Sequence, residues 1–151
     1  MISIKRTNSN DLDFQKLVEA LDIDLGAYYK DEKQFYGKLN NIDEIKHAVV
    51  AYDENNTPTG CGGIKAFSED EVEVKRMFVP VEFRGKGVAK LVLEALEDWS
   101  VELGFKKCIL ETLKEKPYAI RFYEKNNYHT IPNFGDYVKA KNSICFAKNL
   151  K

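Results

Sequence analysis

Apolar residues in the first third of the chain recur at strand spacing and then at helical spacing. Residues 2–6 alternate between apolar and polar side chains, which predicts a strand. Asn10 and Asp11 can cap a helix, and the apolar residues after them recur at helical spacing, at Leu12, Leu17, Val18, Leu21 and Leu25. A second, weaker helical pattern covers residues 31–42. The pattern predicts one strand followed by two helices.

Two apolar runs separated by turn residues predict a hairpin. The runs cover residues 47–52 and 61–67, and residues 55–60 between them read Asn-Asn-Thr-Pro-Thr-Gly. Asn, Pro and Gly favour turns because they adopt or preset the backbone angles that a chain reversal needs. We therefore expect the two runs to pair as antiparallel strands.

The rest of the chain alternates between strand and helix patterns. The strongest helix is predicted at residues 87–103, which carry one apolar stripe, and Gly104 follows in the usual stop position. The other predicted elements are strands at residues 71–79, 107–112, 128–131 and 143–147 and a helix at residues 117–126. The strand–helix–strand unit at residues 71–112 implies a right-handed crossover between parallel strands. With the hairpins, this predicts an α/β chain with a mixed sheet.

Length and composition indicate what kind of protein this is. The 151 residues suit a single domain, here residues 1–151. The net charge of −1, with Lys and Arg spread along the chain, gives no reason to expect a nucleic acid or an anionic membrane as partner. No apolar run approaches the roughly 18 residues of a membrane span, and the N-terminus lacks the apolar stretch of a signal peptide. We expect a cytoplasmic protein.

The cysteines and histidines do not form a metal-binding pattern. Cys61, Cys108 and Cys145 lie far apart, each in an apolar run, and no Cys-x-x-Cys pair is present. With His47 and His129 as the two histidines, no zinc-ligand spacing exists. The cysteines are predicted to be buried small apolar residues, and no metal is expected.

A glycine-containing loop joins a predicted strand to the strongest helix. Residues 79–89 read Val-Pro-Val-Glu-Phe-Arg-Gly-Lys-Gly-Val-Ala. The first turn of a helix presents unpaired N–H groups that bind phosphate, and Arg84 and Lys86 add positive charge beside it. The alternative is a tight strand-to-helix turn with solvated basic residues. The loop matches neither Gly-x-x-x-x-Gly-Lys-Ser/Thr nor Gly-x-Gly-x-x-Gly.

The segment Arg-Gly-Lys-Gly-Val-Ala at residues 84–89 resembles the Arg/Gln-x-x-Gly-x-Gly/Ala signature of the GNAT superfamily of N-acetyltransferases. The similarity extends to residues 73–79 and 108–112, and a second family segment reads Ala-Ile-Arg-Phe-Tyr-Glu-Lys-Asn-Asn-Tyr at residues 119–128. Residues 131–137 resemble a motif of bacterial members of small-molecule or amino-acid type. The resemblance covers essentially the whole chain. It implies a mixed, mostly antiparallel sheet of six to seven strands with a splayed parallel pair, flanked by about four helices.

The resemblance also implies how the donor is held. Acetyl-CoA would be the co-substrate, with no metal. Backbone groups around Met77, Phe78 and Val79 would pair with its pantetheine arm, in a slot opened by a bulge in this strand. N–H groups of the loop and the first helical turn would hold the pyrophosphate, at Arg84, Gly85, Lys86, Gly87, Val88 and Ala89.

Catalytic roles follow from the same resemblance. Tyr123 matches the family's general acid, which returns a proton to the departing CoA thiolate and so also contacts the cofactor. The alternative for Tyr123 is aromatic packing with Tyr118 and Phe122 on one helix face. Glu73 is the predicted general base because it lies near the bulge, and Glu71 or a water relay remain open as alternatives.

The resemblance assigns the acceptor to the first two helices and the last hairpin. Tyr28, Tyr29, Arg76 and Tyr137 are the predicted substrate-pocket residues, and packing or surface positions are the alternative for each. The expected reaction is acetyl transfer to a primary amine of a small molecule by direct attack in a ternary complex. The alternatives are a non-catalytic acyl-CoA-binding sensor, acetylation of a protein N-terminus or lysine, and a phosphate-binding fold for another nucleotide. Dimers are common in similar proteins, so a homodimer is expected.

Overall fold

Seven strands and three helices make up the part of the chain that the computed structural model describes, which is residues 1–29 and 45–151. The helix predicted at residues 31–42 lies outside this part, as do the side chains of residues 27–29. The strands are β1 (Ser3–Thr7), β2 (His47–Tyr52), β3 (Pro58–Ala66), β4 (Glu71–Phe78), β5 (Lys107–Leu113), β6 (His129–Ile131) and β7 (Ser143–Asn149). The helices are α1 (Leu12–Tyr29), α2 (Val88–Glu102) and α3 (Pro117–Lys125), and short 3₁₀ turns cover Val81–Phe83 and Gly135–Tyr137.

The strands form one mixed sheet in the order β1-β2-β3-β4-β5-β7-β6. Among the described strands, β4 and β5 are the one parallel pair, and α2 connects them. Their pairing covers four residues on each strand and ends at Val74 opposite Leu110, although both strands continue. The predicted mixed sheet with a splayed parallel pair is confirmed.

The two faces of the sheet carry separate cores. On one face, Val92, Leu93 and Leu96 of α2 pack in the larger buried cluster with Val74 and Leu110 of the parallel pair. On the other face, α1 contributes a second cluster with residues of β2 and β3, formed by Phe14, Leu17, Val18, Ile45, Ala48, Val50 and Cys61. All three cysteines are free and buried, as predicted.

The first helix begins where its capping residues predict. Asp11 Oδ1 accepts hydrogen bonds from the N–H groups of Asp13 (2.9 Å) and Phe14 (3.1 Å), two donors that have no partner within the helix.

No helix in residues 1–29 or 45–151 is long and apolar enough to cross a membrane.

The predicted hairpin is confirmed, but β3 begins at Pro58 and not at residue 61. Asp53 closes the turn earlier than the Pro and Gly positions indicated. Its N–H donates to the Thr57 carbonyl (3.0 Å), and its carboxylate accepts from the N–H of Thr57 (2.9 Å). The chain is therefore extended and paired from Pro58, because the side chain of an Asp before the turn had already fixed the reversal.

A bulge in β4 lies beside the splay. Cys61 pairs with Phe78 and Gly63 pairs with Lys75, so Arg76 and Met77 together face Gly62. Arg76 has a φ of 60°, in the left-handed region that few non-glycine residues adopt. A Cβ at Gly62 would lie 2.6 Å from Met77 Sδ and 2.8 Å from Leu96 Cδ1. A larger residue at this position of β3 would therefore force the side chains of Met77 and Leu96 to move, which favours glycine.

Candidate active site

A slot between β4 and β5 opens where their pairing ends. Beyond Leu110, β5 continues and pairs with β7, while β4 bulges at Arg76. Cavities lie on both sides of this slot. Met77, Thr112, Lys116 and Tyr123 line both of them, so the two cavities meet between the splayed strands.

The larger cavity, of about 500 Å³, lies between the end of β4, the glycine loop, the first turn of α2 and α3. Every residue predicted to bind the cofactor lines it except Lys86, namely Met77, Phe78, Val79, Arg84, Gly85, Gly87, Val88, Ala89 and Tyr123. The Lys86 Nζ lies 6.0 Å from the centroid of the Phe83 ring. Because the other residues all line the cavity, the glycine loop and the end of β4 together form one wall of it.

Backbone conformation explains the two glycines of the loop. Gly85 and Gly87 have φ values of 79° and 80°, and a Cβ at either position would meet no atom within 4 Å. Glycine is therefore favoured here by the left-handed backbone and not by crowding. The first helical hydrogen bond of α2 runs from the Leu91 N–H to the Gly87 carbonyl (3.2 Å), so the N–H groups before Leu91 are free of helical partners. An anionic group can bind there.

Arg84 extends along the wall of this cavity. Its Nε donates a hydrogen bond to the Val79 carbonyl (2.7 Å), and its guanidinium carbon lies 5.4 Å from the centroid of the Tyr118 ring. A carbonyl oxygen has two lone pairs, so this bond leaves the Val79 oxygen able to accept a second donor. The arrangement places a fixed positive charge close to the glycine loop.

The smaller cavity, of about 80 Å³, lies on the α1 face of the slot and is lined by charged side chains. The register puts Glu73 and Lys75 of β4 on the face opposite the α2 core, since Val72 and Val74 belong to that core. Glu111 lies just beyond Leu110, the last residue of β5 that pairs with β4, and lines the cavity with them. Ionisable groups thus concentrate at the end of the parallel pairing.

Glu73, Tyr137 and Lys75 form a buried network in this cavity. The Tyr137 hydroxyl donates to Glu73 Oε2 (2.9 Å), and Lys75 Nζ donates to the same hydroxyl (3.3 Å). Lys75 Nζ also lies 3.7 Å from Glu73 Oε2. Burial and the Glu73 charge raise the pKa of Tyr137, whereas burial lowers the pKa of Lys75 despite its acidic neighbour. The 3₁₀ turn at Gly135–Tyr137 delivers Tyr137 to Glu73 across 64 positions of sequence.

Glu111 is a carboxyl whose pKa falls close to neutral. Burial raises its pKa to about 7, and the Glu73 charge adds to the rise. A hydrogen bond donated by the Ser143 hydroxyl, and the positive charges of Lys75 and Lys116, act in the opposite direction. A carboxyl with a pKa in this range can gain and lose a proton at physiological pH, which a general base requires.

Tyr123 lies at the junction of the two cavities. Its ring packs against Phe122, Tyr128 and Phe146, with centroids 5.2, 5.7 and 6.2 Å away, and the residue is 7% exposed. Its hydroxyl donates to no side chain or carbonyl within residues 1–29 and 45–151. Burial raises the pKa of Tyr123, so the phenol stays protonated across physiological pH. Tyr123 therefore has the aromatic packing that was one alternative, and it also lies at the slot, where a general acid would be placed.

Comparison with known proteins agrees with this arrangement of loop, slot and cavities. The model of the acetyltransferase (GNAT) family matches residues 14–128. An IAA acetyltransferase of Azospirillum brasilense is 31% identical over 136 residues, which cover 89% of each chain. The chain belongs to the GNAT family of acetyltransferases.

Solved structures of two acyltransferases share the fold. A candidate acyl-CoA N-acyltransferase from Klebsiella pneumoniae has a TM-score of 0.82 and 26% identity, over 100% of this chain and 99% of that one. A candidate streptothricin acetyltransferase from Bacillus anthracis, solved in complex with acetyl coenzyme A, has a TM-score of 0.62 and 20% identity. That match covers 71% of this chain and 64% of that chain. At this identity the second likeness concerns the fold alone.

The predicted acceptor residues of this GNAT protein are only partly brought together. Arg76 and Tyr137 line the smaller cavity. Tyr28 and Tyr29 end α1, and their side chains lie outside the described residues. Glu73 is buried in the cavity, whereas Glu71, at the start of β4, donates its N–H to Ser68 Oγ and accepts the Ser68 hydroxyl.

Sequence reasoning missed three charged residues of the GNAT site. Lys75, Glu111 and Lys116 line the smaller cavity and are buried or half-buried. The available signal was a charged residue inside or beside a run of apolar strand residues, as in Cys-Ile-Leu-Glu-Thr at residues 108–112.

Within residues 1–29 and 45–151, no group of three or more His, Cys, Asp or Glu side chains could hold a metal ion.

Proposed function

We propose that this GNAT protein transfers the acetyl group of acetyl-CoA to a primary amine of a small molecule, by direct attack within a ternary complex. The observation that carries the proposal is the junction of two chemically different cavities at the splay of β4 and β5. One cavity has a glycine loop and a helix N-terminus, and the other has buried carboxylates. Holding two reactants next to each other at this junction supplies much of the rate acceleration.

The larger cavity has the properties that the donor requires. The N–H groups before Leu91 and the positive end of α2 suit the pyrophosphate, and Gly85 and Gly87 allow close backbone approach. The free edge of β4 beyond Val74 suits the extended pantetheine arm, paired with backbone around Met77, Phe78 and Val79. Acetyl-CoA supplies the acetyl group as a thioester.

Two side chains carry the proton transfers in this proposal, Tyr123 at the junction and Glu111 in the smaller cavity, and Glu73 supports them. The amine gives up its proton to Glu111 as its nitrogen bonds to the acetyl carbon. Tyr123 donates a hydrogen bond and then its proton to the sulfur that leaves when the carbon–sulfur bond breaks. Glu73 fixes Tyr137 and raises the pKa of Glu111. Glu73 as the base itself stays a prediction, and it is tested against Glu111 below.

Donor binding is the first test. We expect calorimetry to give tight binding of CoA and much weaker binding of ATP and NAD. Gly87→Ala should weaken CoA binding by about tenfold, because the left-handed backbone costs about 1–2 kcal/mol for a residue with a Cβ. Gly104→Ala is the matched control, since Gly104 also has a positive φ (96°) and open space but lies at the other end of α2. Equal loss of CoA affinity in both variants, or better binding of ATP, would contradict the assignment of the loop.

Turnover is the second test. We expect one or more small primary amines to release free CoA thiol from acetyl-CoA in the presence of the protein, with the acetylated amine as the second product. A chain that binds CoA but yields no acetylated amine from a broad panel of amines, N-terminal peptides and lysine peptides would be a sensor. Acetylation of the peptides alone would assign a protein substrate.

A further inference from the structure

The bulge in β4 changes which face of the sheet Arg76 occupies. Regular alternation would send Arg76 to the α2 core with Val74, on the face opposite Lys75. The extra residue of the bulge instead places both Lys75 and Arg76 on the α1 face, and Met77 returns to the α2 core. Two adjacent cations therefore line the same small cavity.

Arg76 is almost completely buried, yet only part of its guanidinium forms hydrogen bonds. Its side chain is 1% exposed. Nη2 donates to the Val18 carbonyl (3.4 Å) and to the carboxylate of Asp22. Nε is buried and has no hydrogen-bond partner within residues 1–29 and 45–151. A buried donor on a charged group without a partner is costly, and Arg76 lines the smaller cavity, so a ligand bound there can complete its hydrogen bonding.

The aspartates that pair with Arg76 and Lys116 are more exposed than these cations. Asp22, the partner of Arg76, has a side chain that is 59% exposed, and Asp24, 3.4 Å from Lys116 Nζ, has one that is 36% exposed. Lys116 is 7% exposed and lines the cavity. Asp22 is bound by Nη2 and not by Nε. A carboxylate that enters the cavity can therefore bind Nε without displacing Asp22.

The cavity as a whole has two charge regions. Arg76 and Lys116 supply positive charge, and Glu73 and Glu111 supply carboxyl groups that can accept a proton from an amine. A simple alkyl amine would contact only the acidic groups and leave Arg76 Nε unpaired. An amine that also carries a carboxylate would contact both the acidic and the positive groups. The volume of about 80 Å³ suits a small acceptor.

We infer that the acceptor is an amine bearing a carboxylate, of the amino-acid type, and that Arg76 binds this carboxylate through its unpaired Nε while the amino group faces Glu111. The inference rests on the proposed function and narrows its substrate class. Arg76 is a specificity residue, and one charge-assisted hydrogen bond from its Nε to a carboxylate oxygen supplies the recognition, because Nη2 already donates to Val18 and Asp22. A peptide N-terminus lacks a free carboxylate next to its amine and binds less well.

The test compares acceptors that differ only in the carboxylate. Each natural amino acid is assayed beside its amide and its decarboxylated amine, for example alanine, alaninamide and ethylamine. For the best acceptor, kcat/KM of the acid should exceed that of the amide by about 10- to 100-fold, the value expected for one hydrogen-bonded charge pair. Arg76→Gln should raise KM for the acid with a smaller change in kcat, and should bring the acid-to-amide ratio close to one.

Asp22→Asn separates recognition from a purely structural role of Arg76. If Arg76 serves only to tie α1 to β4 through Asp22, this variant should lose activity in the same way as Arg76→Gln, on all acceptors alike. The inference requires that Asp22→Asn keep the preference for the acid. Equal rates for acid, amide and amine in the wild type would overturn it, and this comparison needs no variant to fold. Turnover of amines without any effect of the carboxylate refutes this inference alone, whereas absence of turnover on every amine refutes the proposed function.

Discussion

Replacing Tyr123 with Phe is expected to lower kcat by about 10²-fold or more while CoA affinity stays close to that of the wild type. The change removes one hydroxyl at the junction of the two cavities and keeps the ring that packs against Tyr128 and Phe146. Acid catalysis contributes about 10²–10⁴-fold in enzymes, and a thiolate that leaves without a proton donor is a poor leaving group. Steady-state turnover with saturating amine and calorimetry with CoA measure the two quantities.

Tyr52→Phe is the matched control for the loss of a phenolic hydroxyl. Tyr52 ends β2, and its hydroxyl donates to Asp13 Oδ2 (2.7 Å), away from both cavities. We expect this variant to keep its turnover. Turnover of Tyr123→Phe equal to that of Tyr52→Phe would leave Tyr123 with packing alone, which its contacts with three aromatic rings already provide.

Glu111→Gln is expected to lower kcat/KM by about 10²-fold and to remove the acidic limb of the pH profile. A general base works only when deprotonated, and the pKa of Glu111 is raised to about 7 by burial and by the Glu73 charge. In the wild type, kcat/KM should therefore rise with pH up to about 7 and then level off. The amide of Gln keeps the size of the side chain and the ability to accept a hydrogen bond from Ser143, so folding should be little affected.

Glu73→Gln distinguishes the two candidate bases. If Glu111 is the base, loss of the neighbouring negative charge lowers the pKa of Glu111, and the acidic limb moves to lower pH with a smaller loss of rate. If Glu73 is the base, as the sequence predicted, Glu73→Gln shows the larger loss and Glu111→Gln keeps an acidic limb. The pH dependence of kcat/KM in the two variants decides between these outcomes.

Local patterns predicted the secondary structure because they report on residues close in sequence. Asp11 caps α1 with its own carboxylate, and the spacing of apolar residues identified α2. The position of the glycine loop was also predicted, and the structure adds that both of its glycines have a left-handed backbone. The start of β3 was missed by three residues because a side chain four positions away closes the turn.

The smaller cavity, which we propose for the acceptor, was predicted only in part because it depends on contacts between distant residues. Glu73 and Tyr137 are 64 positions apart, and Arg76 and Asp22 are 54 apart. Glu111 and Lys75 come together only because the pairing of β4 and β5 ends at Val74 and Leu110. The local sequence of residues 108–112 does not indicate which strands pair with this segment.

The sequence by itself determined the order of strands and helices, the mixed sheet and the glycine loop, because periodicity, capping and backbone preference act over a few residues. Its motifs also identified the GNAT family and the loop that we propose for the donor. The tertiary structure decided which residues line the cavity that we propose for the acceptor. The bulge in β4 turned Arg76 toward α1, and the sheet register brought Glu111 beside Glu73. Such placements arise from the packing of separate strands and helices, so the chemistry of the acceptor cavity follows from the fold and not from any one segment.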